Sequence, residues 1–211
     1  IWAIWGRSKA MIAGNTMLAL ADRTLLDLSS QGVSTEKATL AIRILTNRYL
    51  DTIEGQYLDL SFEQELGIKP EQYLEMVEKK TGSLIQASMH LGAVIGLGDK
   101  TQIQALQKCG QYLGLAFQAR DDWLGIWGDP LLTGKAVGAD IQRKKNSLPI
   151  VHGFALANDA TRGRLTKLYQ QPTLDHSARI EIIEILEGLG THEYVQGMAE
   201  ENQKQAVSWA R

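Results

Sequence analysis

Apolar residues recur at three- and four-residue steps along most of the chain, which is the spacing of an amphipathic α-helix. The pattern is clearest where Ile103, Leu106, Gly110, Leu113 and Phe117 share one face of a predicted helix. The alternating β-branched runs and the Asn-Gly or Asp-Gly dipeptides that predict hairpins are absent. The sequence therefore predicts an all-α fold, with helices at residues 8–29, 35–66, 71–97, 100–127, 139–157, 160–170, 176–188 and 190–210.

Residues that cap or break helices stand at the predicted boundaries. Ser34 and Asp99 each precede a helical run and can accept a hydrogen bond from a free backbone N–H group at its start. The segment 67–70, Gly-Ile-Lys-Pro, ends one helix and starts the next, because glycine favours a C-terminal cap and proline the first turn. Gly-Asp-Pro at 128–130 stops the fourth helix, and we expect a loop from there to about Gly138.

The composition is that of a globular protein with balanced charge. The chain has 211 residues, 44% of them hydrophobic, with 22 Lys and Arg against 24 Asp and Glu. The net charge of −2 gives no support to a nucleic-acid binder, which would carry a basic excess. The chain has no run of about eighteen apolar residues, so no membrane span is predicted. The single cysteine, Cys109, cannot form an intrachain disulfide, and we expect a cytoplasmic location.

The start of the chain bears on its domain organisation. The chain begins at Ile1 rather than at methionine, within sequence that is itself helix-like. No linker-like composition and no fixed-period repeat divides the rest of the chain. We therefore predict that residues 1–211 form a single all-α domain and that they are the C-terminal portion of a larger helical domain.

Two adjacent aspartates, Asp121 and Asp122, are the sharpest chemical feature of the sequence. They lie near the end of an otherwise apolar helix, and both are about one turn from Gln118. Carboxylate and amide oxygens suit a hard divalent cation such as Mg²⁺, which keeps several waters for a phosphate substrate. The alternative is a solvated acidic pair, which is common on exposed helix faces.

The loop after the aspartate pair favours the metal interpretation. It combines further acids, among them Asp129 and Asp140, with Lys135 and Lys145. A metal–diphosphate site needs this mixture, because acids hold the metal, the metal bridges phosphate oxygens and lysines neutralise the remaining charge. A solvated charged loop is the alternative.

Two other helices carry polar residues at helical spacing. Gln56, Asp59 and Glu63 form one stripe at i, i+3 and i+7. Lys80 and Thr81 precede a largely apolar run that contains several small residues. Such a run suits either close helix packing or the wall of a lipid-shaped cavity.

These segments together resemble a known family. GQYLDLSFE (55–63), KKTGSLIQASMHLGA (79–93) and FQARDDWLGIWGDPLLTGKAVGADIQRKKNSLP (117–149) are similar to the trans-isoprenyl diphosphate synthases, the polyprenyl synthetases that make farnesyl or geranylgeranyl diphosphate. The resemblance covers essentially the whole chain. It implies long, mostly antiparallel helices around a deep apolar cavity, with two Asp-rich motifs facing each other across its mouth. It also implies a homodimer and Mg²⁺-dependent prenyl transfer from an allylic diphosphate to isopentenyl diphosphate.

The match to the family's second Asp-rich motif assigns roles to individual residues. Asp121 and Asp122 would hold the metal. Lys80, Thr81 and Gln118 would take part in catalysis, with Thr81 beside the allylic carbon. The residues expected to contact the substrate or to lie near the mouth of its site are Lys80, Thr81, Gln118, Lys135, Lys145, Gln56 and Asp59.

The sequence departs from the family pattern in two places. The second motif often reads DDxxD, whereas this chain has Gly125 at the third acidic position, and Asp140 is the candidate for the missing charge. The first Asp-rich motif, which in the family precedes the segment resembling IWAIWG, is not among these residues. Two other functions therefore stay open, a class I terpene cyclase of the same fold and a non-catalytic subunit of a heteromeric prenyl synthase.

Overall fold

The computed structural model describes residues 1–63, 65–96, 99–134 and 136–211. Over these residues the chain is helical and has no strand, which confirms the predicted all-α class. The α-helices are α1 (Trp2–Trp5), α2 (Arg7–Leu26), α3 (Thr35–Phe62), α4 (Pro70–Val77), α5 (Ser83–Gly96), α6 (Lys100–Trp127), α7 (Pro130–Thr133), α8 (Ala139–Gln142), α9 (Leu148–Leu156), α10 (Asp159–Tyr169), α11 (His176–Gly188) and α12 (Thr191–Trp209). A 3₁₀-helix (Asp27–Gln31) follows α2, and a π-helical segment (Glu78–Gly82) joins α4 to α5.

Helix α6 is the axis of the fold. Helices α5 and α12 lie along it, and α3 packs against α5 and against the π-helical segment. One apolar cluster joins the end of α6 to α8, α9, α10 and α11. A second cluster joins the end of α3 to α4, α6, α9 and α12, and it supports the polar residues of the candidate site. The members of this second cluster include Phe62, Tyr73, Met76, Ala119, Leu148 and Val195.

The predicted helix caps are present. The hydroxyl oxygen of Ser34 accepts a hydrogen bond from the backbone N–H of Lys37 at 3.4 Å. The carboxylate of Asp99 accepts one from the backbone N–H of Thr101 at 2.6 Å. Each cap satisfies a donor that the first turn of a helix leaves free.

The helix predicted over residues 139–157 is wrong, because the chain there forms the two helices α8 and α9. Lys144 has a φ angle of 53°, a left-handed conformation that ends a helix. Pro149 lies in the first turn of α9, where its missing N–H costs no hydrogen bond. A short helix, α7, also lies in the segment that was expected to be a loop up to Gly138.

The C-terminus of α8 has a lysine, Lys144, at a cap position where glycine is usual. The N–H of Lys144 donates to the carbonyl of Ile141 at 2.8 Å, and the N–H of Lys145 donates to that of Asp140 at 3.0 Å. These two bonds form a Schellman cap, whose left-handed position is normally glycine. Lysine at this position carries the steric cost of a Cβ atom in left-handed backbone, and its ammonium group donates to the carbonyl of Gln171.

We therefore predict that Lys144→Gly is more stable than Lys144→Ala by about 1 kcal/mol in urea unfolding, because only glycine relieves the left-handed backbone. Both variants lose the side-chain bond to Gln171 equally. Lys167, exposed in the regular helix α10, supplies the control. There alanine is expected to exceed glycine by about 1 kcal/mol. The same order of stabilities at both positions would contradict this account.

Candidate active site

Lys80 and Thr81 lie in the π-helical segment, where the backbone widens between α4 and α5. π-Helical turns inside α-helices are often found at functional sites. Two glycines allow neighbouring helices to approach this segment closely. A Cβ atom on Gly55 of α3 would lie 2.2 Å from the backbone nitrogen of Lys80, and one on Gly114 of α6 would lie 2.7 Å from the Cα of Gly82. The Lys-Thr pair is therefore held between α3 and α6. Neither Gly55 nor Gly114 can be replaced by a larger residue unless the backbone moves.

The close approach brings polar groups of three elements into contact. The Lys80 ammonium donates to the carboxylate of Asp59 on α3 at 2.5 Å, and the side-chain amide of Gln56 donates to the same carboxylate at 3.4 Å. The Thr81 hydroxyl donates to the side-chain oxygen of Gln118 on α6 at 2.8 Å. The structure thus brings together five of the residues predicted for substrate binding.

Asp122 is fully buried, with 0% of its surface exposed. Its Oδ1 accepts hydrogen bonds from the Gln118 amide at 3.1 Å and from the Lys145 ammonium at 2.9 Å. Its Oδ2 accepts one from the backbone N–H of Leu148 at 2.8 Å and one from the hydroxyl of Tyr73. Four donors occupy the lone pairs of this carboxylate, which has about four acceptor positions. This saturation argues against the metal-ligand role predicted for Asp122.

Asp121 differs sharply from its neighbour. It lies about 100° further round the helix, is half-buried, and makes no hydrogen bond or ion pair within the described residues. It borders a groove of about 560 Å³ between α6 and α12. The α6 wall of this groove also includes Leu113, Phe117 and Leu124. Asp121 therefore presents free carboxylate oxygens to a groove whose α6 wall is largely apolar and which Arg120 and Glu200 also line.

Lys145 connects Asp122 to a second acid. Its ammonium lies 2.9 Å from Asp122 and 3.4 Å from the buried carboxylate of Asp140. Burial alone would lower the pKa of Lys145, but the charges of Asp122 and Asp140 outweigh it and raise the pKa above its ordinary value. Lys145 is thus a permanent cation held by two carboxylates.

A small cleft of about 20 Å³ lies where these groups converge, which is space for about one water molecule. Its lining residues are Asp59, Met76, Val77, Lys80, Thr81, Gln118 and Lys145. Most of them are residues that the sequence predicted to contact the substrate. Lys135, which was predicted to join them, lies outside the described residues.

Gly125, which replaces the third acid of the motif, packs directly on Asp140. A Cβ atom at this position would lie 2.4 Å from the Oδ2 atom of Asp140. The candidate replacement charge, Asp140, is itself buried and pairs directly with Lys145. Because Gly125 has no side chain, the carboxylate of Asp140 on α8 occupies the space that the third acidic side chain of the motif would take.

Tyr73 is a residue of this site that sequence reasoning missed. It is 2% exposed, and burial, followed by the charge of Asp122, raises the pKa of its hydroxyl. The hydroxyl therefore stays protonated and donates. A tyrosine on an apolar helix face usually packs in the core, so its spacing along the chain carried no specific signal for this role.

The donor set of the site meets part of what a divalent metal needs. The described residues contain no group of three or more His, Cys, Asp or Glu side chains placed to hold a metal ion. Asp121 offers a free hard oxygen ligand, and Mg²⁺ is often bound by one or two carboxylates together with waters and substrate phosphates. The residues present therefore fit a metal that is shared with a phosphate ligand.

Comparison with known proteins identifies the family. A family model described as Polyprenyl synthetase matches residues 1–186. The chain belongs to the polyprenyl synthetase family. This result confirms the resemblance on which the roles of the site residues were predicted.

Individual polyprenyl synthetases show how much of the fold this chain contains. It is 37% identical over 164 residues to (2E,6E)-farnesyl diphosphate synthase of Mycobacterium tuberculosis, which covers 78% of this chain and 44% of the relative. The solved geranylgeranyl pyrophosphate synthetase of Pyrococcus horikoshii Ot3 matches with a TM-score of 0.89 and 30% identity, over 100% of this chain and 63% of that one. The chain thus spans about half the length of the curated relatives that it matches.

A third polyprenyl synthetase was solved with ligands. The polyprenyl synthase of Caulobacter crescentus CB15, in complex with calcium and isoprenyl diphosphate, matches with a TM-score of 0.84 and 25% identity over 99% of this chain and 61% of that one.

None of the helices in the described part of the present chain combines the length and apolar character that a bilayer crossing requires.

Restoring the third acid with Gly125→Asp is expected to destabilise the protein by at least about 3 kcal/mol, because the new side chain overlaps Asp140 and adds a like charge. Thermal or urea unfolding measures this loss. Gly163→Asp, on the exposed face of α10 with open space around it, is the control and should cost about 1 kcal/mol or less. A Gly125→Asp protein as stable as the control would show that Gly125 does not pack on Asp140.

Proposed function

We propose that the full protein transfers a prenyl group from an allylic diphosphate to isopentenyl diphosphate. The observation that carries this proposal is the convergence of Lys80, Thr81, Gln118 and Lys145 on one cleft, in a chain of the polyprenyl synthetase family. The carboxylate of Asp121 lies near enough to Lys145 for its charge to help raise the pKa of that lysine. Together these groups offer cations and hydrogen-bond donors for a diphosphate and one oxygen ligand for a metal.

The lysines that border the cleft would bind and stabilise the leaving diphosphate at its mouth, because the cleft itself has space for about one water molecule. Breaking the allylic C–O bond places its electron pair on the diphosphate, and the ammonium groups of Lys80 and Lys145 stabilise that negative charge. Lys80 now pairs with Asp59, so diphosphate binding would compete with this ion pair. Thr81 and Gln118 lie beside the same cleft and would orient the allylic end of the substrate.

The carbon–carbon bond would form after this ionisation. The alkene of isopentenyl diphosphate attacks the allylic cation, and the departed diphosphate takes the proton that is then lost. The allylic cation needs protection from water. Leu113, Phe117 and Leu124 line the groove beside Asp121 and supply an apolar wall for the prenyl chain.

Asp121 is the proposed ligand of Mg²⁺ in this chain. A bound Mg²⁺ would supply Lewis-acid stabilisation of the diphosphate oxygens. The calcium bound in the Caulobacter crescentus CB15 structure supports a divalent metal in this family. Asp122, with its oxygens already bonded, would instead hold Lys145 in place.

The other functions considered from the sequence receive no support. The similar proteins are named as prenyl diphosphate synthases, which favours neither a terpene cyclase nor a non-catalytic subunit.

We also propose a homodimer and a cytoplasmic location. The homodimer is what the resemblance to the family implies, and the single cysteine suits a reducing compartment.

Replacing one carboxylate of the pair tests the proposed reaction. Asp121→Asn in the full protein should lower kcat for the Mg²⁺-dependent consumption of isopentenyl diphosphate by about a hundredfold or more, because the proposed metal ligand is lost. Product analysis with and without isopentenyl diphosphate measures the rate and identifies the product. Asp175→Asn, at an exposed N-cap of α11, is the matched control and should leave the rate unchanged. Normal turnover of Asp121→Asn would refute the metal assignment, and an active wild type that leaves isopentenyl diphosphate unconsumed would refute the synthase function.

A further inference from the structure

We propose that Tyr73 is a positioning residue for the allylic diphosphate, acting through Asp122 on Lys145 and Gln118. The inference rests on the proposed function and adds to it a residue that never contacts the substrate. Tyr73 lies on α4 below the cleft and does not line it.

The hydrogen bonds give the direction of this effect. The Tyr73 hydroxyl and the N–H of Leu148 both donate to Oδ2 of Asp122. Two donors on Oδ2 fix the rotation of the carboxylate, and this rotation determines where Oδ1 points. Oδ1 is the atom that binds the Lys145 ammonium and the Gln118 amide.

The effect extends one residue further, to Thr81. Because the nitrogen of the Gln118 amide donates to Asp122, its oxygen faces the opposite way and accepts from the Thr81 hydroxyl at 2.8 Å. A rotated carboxylate would release this amide as well as the lysine. Hydrogen bonds therefore link Tyr73 to Lys145 through Asp122, and to Thr81 through Asp122 and Gln118.

The protein contains a second buried tyrosine that serves as a matched control. Tyr169 is 4% exposed, and its hydroxyl has no hydrogen-bond partner within the described residues. It packs against Phe154 with ring centroids 5.9 Å apart. Tyr73→Phe and Tyr169→Phe therefore remove the same atom from equally buried rings, but only the first removes a bond to the site.

The experiment compares the steady-state kinetics of the two variants in the full protein. Tyr73→Phe should lower kcat/KM for the allylic diphosphate about ten- to a hundredfold, the range found when a residue that orients a metal-binding side chain is removed. The KM for isopentenyl diphosphate should change less than twofold. Tyr169→Phe should leave both values within twofold of the wild type. An unchanged kcat/KM for the allylic diphosphate in Tyr73→Phe, or an equal rise in KM for both substrates, would overturn the proposal.

A double-mutant cycle tests the route through Lys145. If Tyr73 acts on that lysine, Tyr73→Phe should have a much smaller effect in a Lys145→Ala background than in the wild type. The affinity for inorganic diphosphate with Mg²⁺, measured by calorimetry, supplies this comparison when turnover is too slow. Fully additive effects would overturn the proposal.

A second variant covers the case in which Tyr73→Phe does not fold. Asp122→Asn keeps the size of the side chain and removes the charge that holds Lys145, so it should show the same loss confined to the allylic substrate. An Asp122→Asn protein with normal kcat/KM for that substrate would overturn the proposal. A wild type that does not consume isopentenyl diphosphate would instead refute the proposed function, so the two failures are distinguishable.

Discussion

Four of the polar contacts of the site converge on one buried negative charge, that of Asp122. A carboxylate in the position of Asp122 is costly unless hydrogen bonds and a cation compensate its lost hydration. The donors come from separate parts of the fold: Tyr73 on α4, Gln118 one turn back on α6, Lys145 after α8, and the N–H of Leu148 at the start of α9. The charge is compensated only when these elements have assembled around α6. The assembly that satisfies Asp122 therefore also places Lys145 and Gln118 at the cleft.

A steric constraint acts together with this electrostatic one. The π-helical segment can contact both α3 and α6 because Gly55 and Gly114 present no side chain to it. A methyl group on either glycine would push the segment away, since it would lie 2.2 Å (Gly55) or 2.7 Å (Gly114) from rigid backbone atoms. The bond from Thr81 to Gln118 depends on that close approach. Small residues in these helices thus determine the geometry of the site, although they carry no chemistry.

Helical spacing was sufficient to predict most of the fold and to show which polar side chains share a face. It failed at residues 139–157, because Lys144 ends a helix by its backbone conformation and leaves the apolar pattern unbroken. It also could not separate the roles of Asp121 and Asp122. Which of two adjacent side chains points inward depends on where α4 and α9 lie, and that information is tertiary. Tyr73 was missed for the same reason, since a tyrosine on an apolar helix face is usually a packing residue.

The pairing of charges at the cleft separates Asp121 from the other carboxylates. The carboxylates around the cleft, among the described residues, include Asp59, Asp121, Asp122 and Asp140; Asp59 pairs with Lys80, and Asp122 and Asp140 pair with Lys145. Both ammonium groups are therefore already engaged by carboxylates, and a diphosphate would have to compete with these ion pairs. Asp121 is the one of these carboxylates without a lysine partner among the described residues. The ion pairs of Lys80 and Lys145 thus leave Asp121 as the carboxylate of this group that is available to a further cation.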